Sequence, residues 1–357
     1  MSPFPVLLEV TRGRVVESRH YGDIAVVDSN GSLLASVGDP QAVAFLRSSA
    51  KPFQALPFVE RGGVEHFDFT PRELALACAS HEGSALHVDT VRSMQAKAGL
   101  QESMLQCGSH LPSDRLMFRS FVTSGQVPGP NYNNCSGKHT AMLAHAKMRD
   151  LPLDSYLEIS HPVQQDILET FSAMCGLEKE AVELGIDGCS APNFAVPLYN
   201  AALGMAQLCD PRRLPQQRAA ACRLITSAMT AHPEMVSGLG EFDCELMTAC
   251  GGSVVTKRGA EGFQLIGIMP GVLSPDSPGL GVAYKVSDGD AARMSMQLEF
   301  TTRARPSIAL EILDQLGLLS TARARALASF GPIKQVTNHR GIVTGQARPV
   351  FKLERHG

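Results

Sequence analysis

Strand-like segments at both ends of the chain enclose a long helical region. Residues 6–38 alternate apolar and polar side chains, and their Asn30-Gly31 pair favours a tight turn between antiparallel strands. From about residue 50 to about residue 250 apolar residues recur at helical spacing. Strand-like patterns return over residues 251–290. We therefore expect an α/β (α+β) fold in which a mixed antiparallel sheet from both chain ends is flanked by helices.

Two further segments complete this assignment. Residues 292–317 have helical periodicity, and residues 348–353, RPVFKL, form a strand candidate. No repeat of solenoid period and no low-complexity linker divides the chain, so residues 1–357 are expected to form one domain.

The charge distribution and the N-terminal segment limit the classes of partner. The net charge is -3 with both signs scattered, which disfavours binding to nucleic acid or to an anionic membrane. Glu9 follows the first apolar residues too early for a secretory signal, and no apolar run approaches the ~18 residues of a membrane-spanning helix. A cytoplasmic protein with nine reduced cysteines is expected.

Ser48 and Lys51 form a Ser-x-x-Lys motif where the first strands give way to a helix. At this spacing both side chains lie on one helical face, and a neutral lysine amine can accept the proton of a serine hydroxyl. The motif is common by chance, and the simpler interpretation is a capping serine beside a solvated lysine. Pro52 favours a well-defined helix start at this point.

Two other polar clusters also allow a structural interpretation. Ser80 lies in CASHEG, at the end of an apolar helix, where polar residues beside glycine are typical of C-caps. Cys135 and Cys189 lie in turns before helical or apolar segments, and either act as metal ligands together with Lys138 or His139, or are buried structural cysteines. A phosphate loop is excluded because the required glycine and serine or threonine are absent around Gly137-Lys138.

The order of the motifs is more informative than any one of them. Ser48-x-x-Lys51, then Ser80, then Lys257-Arg258-Gly259 on a strand is the order found in penicillin-binding proteins and serine β-lactamases. Lys285, on the next strand candidate, is an alternative to Lys257. We favour Lys257 because Gly259 lets the backbone approach a ligand closely.

Six segments in this order resemble the L-asparaginase II family, the Rhizobium-type amidohydrolases: RSSAKPFQALP, CASHEG, NNCSGKH, GIDGCSAPNFAVPL, KRGAEG and RPVFKL. The resemblance implies a serine β-lactamase-like fold, a homodimer and hydrolysis of L-asparagine to L-aspartate and ammonia. It also implies two Ser-Lys pairs, Ser48 with Lys51 and Ser80 with Lys257. A Zn²⁺ site held by Cys135, Lys138 and Cys189 is implied as well. Arg258 stands where a small residue is more usual, which suggests a more cationic pocket edge.

The expected reaction is acyl transfer. Ser48, deprotonated by Lys51, attacks the side-chain carboxamide, and the reverse assignment with Ser80 as nucleophile stays open. The substrate-binding candidates share polar side chains near these motifs: Arg47, Asn134, Lys138, His139 and Asp187. Crowding of Lys51, Lys138 and Lys257 is expected to lower the pKa of all three amines.

Two other functions remain open at this stage. One is a penicillin-recognising or other amide hydrolase of the same fold, which the lack of an export signal disfavours. The other is a non-catalytic protein that binds zinc or an amino acid. Turnover of asparagine, turnover of a β-lactam, or binding without turnover distinguishes the three.

Overall fold

An antiparallel sheet joins the first strands of the chain to the last. The structure is a computed structural model that describes residues 4–291, 293–294 and 300–356. Its strands are β1 (Val6–Arg12), β2 (Val15–Asp28), β3 (Leu33–Val37), β4 (Val43–Phe45), β5 (Glu183–Ile186), β6 (Pro192–Pro197), β7 (Val254–Arg258), β8 (Phe263–Ile268), β9 (Leu280–Val286), β10 (Arg293–Met294), β11 (Phe300–Thr301), β12 (Lys334–Thr337), β13 (Val343–Pro349) and β14 (Glu354–Arg355).

The helices lie mainly between β4 and β7. They are α1 (Lys51–Glu60), α2 (Gly63–His66), α3 (Pro71–Ala77), α4 (Ala85–Ala98), α5 (Arg115–Ser124), α6 (Ser136–Met148), α7 (Pro162–Met174), α8 (Leu198–Cys209), α9 (Gln216–Ala231), α10 (Pro233–Val236), α11 (Phe242–Cys250), α12 (Arg305–Gln315) and α13 (Thr321–Ala326). A 3₁₀ turn, Arg47–Ala50, leads directly into α1.

Strands from both ends of the chain pair at the centre of the main sheet. The order is β12-β13-β1-β2-β9-β8-β7, with β3 between β2 and β14. Leu8 of β1 lies opposite Pro349 of β13, and Ala25 of β2 lies opposite Ala283 of β9. All these pairs are antiparallel, so the predicted sheet from both chain ends with flanking helices is confirmed.

Each face of the sheet supports its own apolar core. On β2, Ala25 and Val27 belong to the larger cluster, which packs against the helices of the middle region. Ile24 and Val26 alternate with them and belong to the second cluster, which contains residues of α11 and α12. This follows from strand geometry, because successive side chains point to opposite faces. The sheet is therefore covered by helices on both sides.

The boundaries of the helical region follow from local capping. Thr70 accepts a hydrogen bond from the Glu73 N–H while the Glu73 carboxylate accepts one from the Thr70 N–H, and Pro71 occupies the first helical position. This capping box fixes the start of α3, the helix that ends just before Ser80. Within the residues that the structure describes, no helix is both long and apolar enough to cross a bilayer.

Three segments differ from the sequence-based assignment. The region from 50 to 250 is not helical throughout, because β5 and β6 form a separate three-stranded sheet with β4. The helix predicted for 292–317 is wrong at 293–294 and 300–301, which are strands, and begins only at Arg305; residues 292 and 295–299 lie outside the described part. The strand predicted for 348–353 ends at Pro349.

Candidate active site

The two serines singled out in the sequence, Ser48 and Ser80, line the same cavity, whose volume is about 1080 Å³. Ser48 lies in the 3₁₀ turn before α1 and is half-buried, whereas Ser80 follows α3 and is almost fully buried. The Ser80 N–H donates to the Val236 carbonyl at 2.9 Å, and this hydrogen bond holds the Ser80 backbone in place.

Ser80 lies between two buried lysines. Its Oγ is 2.9 Å from the Nζ of Lys51 and 2.9 Å from the Nζ of Lys257. Both lysine side chains are excluded from solvent. Lys285, the alternative to Lys257, instead donates to the Val286 carbonyl. The structure thus joins Lys51, Ser80 and Lys257 into one hydrogen-bonded chain.

Lys51 uses all three of its N–H donors. Besides Ser80, its Nζ donates to the Ala79 carbonyl at 2.5 Å and to the Asn134 carbonyl at 3.3 Å. Three acceptors are the full complement of an ammonium group, which has no lone pair to offer. Among the described residues, the Ser48 hydroxyl has no hydrogen-bond partner, so the expected Ser48–Lys51 hydrogen bond is not formed here.

Lys257 is suited to the opposite role. Burial in the sheet and the positive charge of Lys51 hold the pKa of Lys257 well below its ordinary value. Its Nζ donates to the Arg258 carbonyl at 3.0 Å, and as a neutral amine it can accept the Ser80 proton with its lone pair. A lowered pKa favours the neutral amine, which is the form in which a lysine can act as a general base.

The strand that carries Lys257 is anchored to the turn that carries Ser48. The Ser49 hydroxyl donates to the Lys257 carbonyl at 2.6 Å. A methyl group on Gly259 would lie 2.4 Å from the Leu46 carbonyl oxygen, so only glycine permits this approach. On the other side, buried Asp243 accepts the Arg258 N–H at 2.7 Å.

Ser48 follows a residue in an uncommon backbone conformation. Arg47 has φ +52°, a left-handed conformation that costs free energy in a non-glycine residue and is often found at functional sites. The Arg47 N–H donates to Asn193 Oδ1 at 3.1 Å, which helps to hold the turn. The turn leads into α1, so Ser48 lies at the positive end of a helix, where an oxyanion is stabilised.

Arg47 and Asp187, both predicted to bind substrate, pair with each other. The Nε and the terminal nitrogen of Arg47 each lie 2.8 Å from Asp187 Oδ1. Arg47 lines a second cavity of about 560 Å³, which also contains Lys285. Arg47 does not line the cavity that contains the two serines.

Arg258 does not make the pocket edge more cationic, contrary to the expectation from sequence. Its guanidinium forms an ion pair with Glu241. Glu82 and Asp114 line the same part of the cavity, so acidic side chains balance its charge.

The candidate metal ligands meet beneath the cavity. Lys138 Nζ is 3.0 Å from Cys189 Sγ, and all three candidates, Cys135, Lys138 and Cys189, are buried. A hydrogen bond from the Cys135 thiol, and then the charge of Lys138, lower the pKa of Cys189, which favours one thiolate within the pair. A thiolate is the form of cysteine that binds zinc.

The pKa of Lys138 is raised, whereas the sequence-based expectation was a lowered value. Burial alone would lower it, but the negative charge held by the pair of Cys189 and Cys135 outweighs burial. Among the described residues no group of three His, Cys, Asp or Glu side chains is arranged to hold a metal ion, and the candidate set contains two such residues plus lysine. A metal ion at this site would replace the ammonium proton as the compensating charge.

Asn134 and His139 have different surroundings. Asn134 lines the cavity, and its Oδ1 lies 3.1 Å from Cys135 Sγ. His139 is fully buried, and its Nδ1 is 2.7 Å from the Tyr156 hydroxyl. His139 thus belongs to the packing around the cysteines and not to the cavity wall.

Three residues of this site were missed in the sequence. Asp243 and Glu241 begin α11, and Gln264 Nε2 donates to Asp243 Oδ1 at 2.8 Å. In the sequence, two acids at a helix start resemble ordinary capping residues. The contact of Gln264 with Asp243 depends on the pairing of β7 with β8, which the sequence does not show. No local signal distinguishes them.

The ionised form of Glu82 is unfavourable at its position, so the free energy of unfolding should depend on pH through this residue. Burial, and then the charges of Asp114 and Glu241, raise its pKa to about 7. An acid whose pKa is raised in the folded state stabilises the protein below pH ~4.5 and loses that contribution as the pH rises through 7. We expect Glu82→Gln to raise the free energy of unfolding at pH 8 by about 1–2 kcal/mol after allowance for its partial exposure, and not at pH 4.

Urea unfolding at the two pH values checks this prediction. Glu178→Gln, at an exposed carboxylate, serves as the control and should change little at either pH. Equal effects of Glu82→Gln at pH 4 and pH 8 would contradict the explanation.

Comparison with known proteins identifies the family. The structure is similar to a probable glutaminase from Bacillus subtilis in complex with 6-diazo-5-oxo-L-norleucine, at 12% identity, 83% coverage of this chain, 84% of that chain and a TM-score of 0.39. It is also similar to Mglu in its native form, at 14% identity, 84% and 65% coverage and a TM-score of 0.44. These likenesses are too distant to support an argument about activity.

No curated protein sequence matches the chain. The sequence profile of the L-asparaginase II family, in contrast, matches residues 8–349 and includes every candidate site residue described above. The chain belongs to the L-asparaginase II family.

Proposed function

We propose that this protein hydrolyses L-asparagine to L-aspartate and ammonia through an acyl-enzyme on Ser48, in a serine β-lactamase-like fold. Family membership supports amidohydrolase activity. The observation that carries the mechanism is the position of Ser80 Oγ, 2.9 Å from both Lys51 and Lys257.

The direction of proton transfer follows from hydrogen-bond chemistry. Ser80 has one hydroxyl hydrogen and two lone pairs. With Lys51 donating to the Ser80 oxygen, the Ser80 hydrogen is available to Lys257, whose lowered pKa favours the neutral amine that can accept it. Ser80 thus passes a proton to Lys257 and accepts one from the cavity side. This replaces the expectation that Lys51 itself deprotonates Ser48.

Ser48 is the better nucleophile of the two serines. It is more accessible, its hydroxyl has no partner among the described residues, and it lies at a helix start after the left-handed Arg47. When its Oγ bonds to the carboxamide carbon, its proton passes through Ser80 to Lys257, which protonates the departing ammonia. Water then attacks the β-aspartyl ester and releases L-aspartate and Ser48.

We also propose that Cys135, Lys138 and Cys189 hold a Zn²⁺ ion. The fit rests on three buried donors in contact and on the shared thiolate. When bound, the ion supplies positive charge beneath the cavity. Zinc content of the wild type and of Cys189→Ser, measured by elemental analysis, tests the site, and equal zinc in both would refute it. The homodimer and the cytoplasmic location stay predictions.

The test of the function is ammonia release from L-asparagine, with L-glutamine and a chromogenic β-lactam as alternative substrates. A diazoketone analogue of asparagine should alkylate the activated serine, and mass spectrometry identifies the labelled peptide. We expect turnover of asparagine and a label on Ser48. A label on Ser80 would reverse the roles of the serines, and absence of ammonia from folded, zinc-loaded protein would refute the proposed function.

A further inference from the structure

Of the side chains that line the cavity around the two serines, Arg305 is a buried cation that forms no ion pair with a described acid. Among the other cations that line this cavity, Arg258 is paired with Glu241, Lys334 is half-buried, and Arg115 is exposed. Arg305 lines the same cavity, is 9% exposed and forms no ion pair within the described part of the chain. Arg47, the candidate from sequence, pairs with Asp187 at the other cavity.

Arg305 is held rigidly. It is the first residue of α12, its N–H donates to Asp290 Oδ2 at 2.7 Å, and its carbonyl accepts the Tyr284 hydroxyl at 2.6 Å. Its guanidinium makes one described hydrogen bond, from a terminal nitrogen to the Gly259 carbonyl at 3.2 Å. A guanidinium has five N–H donors in a planar fork, so most of them remain for a ligand in the cavity.

The location of Arg305 suits one end of a short amino acid. Gly259, its hydrogen-bond partner, lies against the turn that carries Ser48, as the 2.4 Å approach to the Leu46 carbonyl shows. Ser48 and Arg305 line the same cavity, so a substrate whose carboxamide is at Ser48 can extend toward the guanidinium. In asparagine two carbons separate the carboxamide from the α-carboxylate, and a carboxylate matches the arginine fork with two parallel hydrogen bonds.

The buried charge of Arg305 destabilises the enzyme when no substrate is bound. A buried charge without a counter-ion is unfavourable. Burial, and then the charge of Arg258, lower the pKa of Arg305, while the nearby Asp290 is occupied by the N–H groups of residues 303–305. A bound carboxylate relieves this cost, so binding energy becomes selective for anionic substrates.

We propose that Arg305 binds the α-carboxylate of the substrate and so restricts the enzyme to amides of amino acids that carry this group. The inference rests on the proposed amidohydrolase function and names the class of substrate for the same site. The arginine of the substrate site is then Arg305, whereas the sequence pointed to Arg47 as a substrate-binding candidate.

The test compares L-asparagine with 3-aminopropanamide, which is asparagine without its α-carboxylate. We expect the wild type to prefer asparagine by about 10²-fold or more in kcat/KM, and Arg305→Gln to remove most of this preference, mainly through a higher KM for asparagine. Activity toward 3-aminopropanamide should be nearly unchanged. Arg305→Lys, which keeps the charge but not the fork, should give an intermediate preference.

Arg115→Gln is the matched control, because Arg115 is also the first residue of a helix at this cavity but is exposed. It should leave the preference unchanged. A merely structural role of Arg305 would lower kcat/KM for both amides equally, and this outcome would overturn the proposal.

A binding measurement separates this proposal from the proposed function. Calorimetry with L-asparagine and the Ser48→Ala protein should show at least a tenfold loss of affinity when Arg305→Gln is added. If the wild type hydrolyses no amide but this loss occurs, the carboxylate site stands and the catalytic proposal fails. If Arg305→Gln leaves the affinity unchanged, the carboxylate site is refuted regardless of activity.

Discussion

Ser48→Ala is expected to lower kcat for asparagine by about 10⁴-fold or more, because no acyl-enzyme forms without the nucleophile. Ser80→Ala should lower kcat by about 10²–10⁴-fold, since it removes the proton path to Lys257 but leaves the nucleophile. Neither change should alter the fold, because each removes one hydroxyl beside a cavity. Steady-state ammonia release measures both effects.

Ser113→Ala is the matched control for these variants. Ser113 lines the same cavity but is exposed, so its replacement should change kcat less than about twofold. Retention of more than a tenth of wild-type kcat in Ser48→Ala would exclude Ser48 as nucleophile. If Ser80→Ala then lost all activity and the diazoketone label fell on Ser80, the serine roles would be exchanged.

Gly281→Ala is expected to have the largest effect on stability. Gly281 lies on β9, where α8 crosses the sheet, and an added Cβ would lie 1.8 Å from the Ala202 carbonyl oxygen and 2.7 Å from the Ala206 nitrogen. Both atoms are backbone and cannot rotate away. Separation of α8 from the sheet should cost about 4 kcal/mol or more of the free energy of unfolding.

The urea midpoint of unfolding measures this loss. Gly188→Ala is the control, because its added Cβ would meet no atom within 4 Å. If Gly281→Ala does not fold, its yield of folded protein relative to Gly188→Ala gives the same answer. An unchanged midpoint would show that the helix and the sheet are not in the close contact described.

The parts of the fold that the sequence predicted are those determined locally. The Asn30-Gly31 turn and the helix start at Pro52 each depend on residues within one turn of the chain. β5 and β6 were missed although they pair with each other, because β6 completes its sheet only with β4, more than a hundred positions earlier in the chain. The helix predicted for 292–317 is wrong at 293–294 and 300–301, because spaced apolar residues also suit short strands and the local pattern does not separate the two.

The site shows the same division. The order of the motifs predicted a pair of Ser80 and Lys257, and the structure joins the two side chains by a hydrogen bond. The predicted partner of Lys51 was wrong. The spacing of Lys51 from Ser48 predicted a contact between these two side chains, but the Lys51 amine contacts Ser80 instead. Arg305 carried no motif at all. Its relevance arises only where α12 meets the end of β7.

The pairing of β1 with β13 has a consequence for how the chain acquires its fold. Residues 6–12 find their neighbours on one side only when residues 343–349 are available, so the sheet cannot close during synthesis of the intervening chain. Contacts of such sequence separation make folding slow, since loop-closure entropy is lost before the contacts form. Until then β1 presents an unpaired strand edge, and we expect partly synthesised or truncated chains to aggregate or to recruit chaperones.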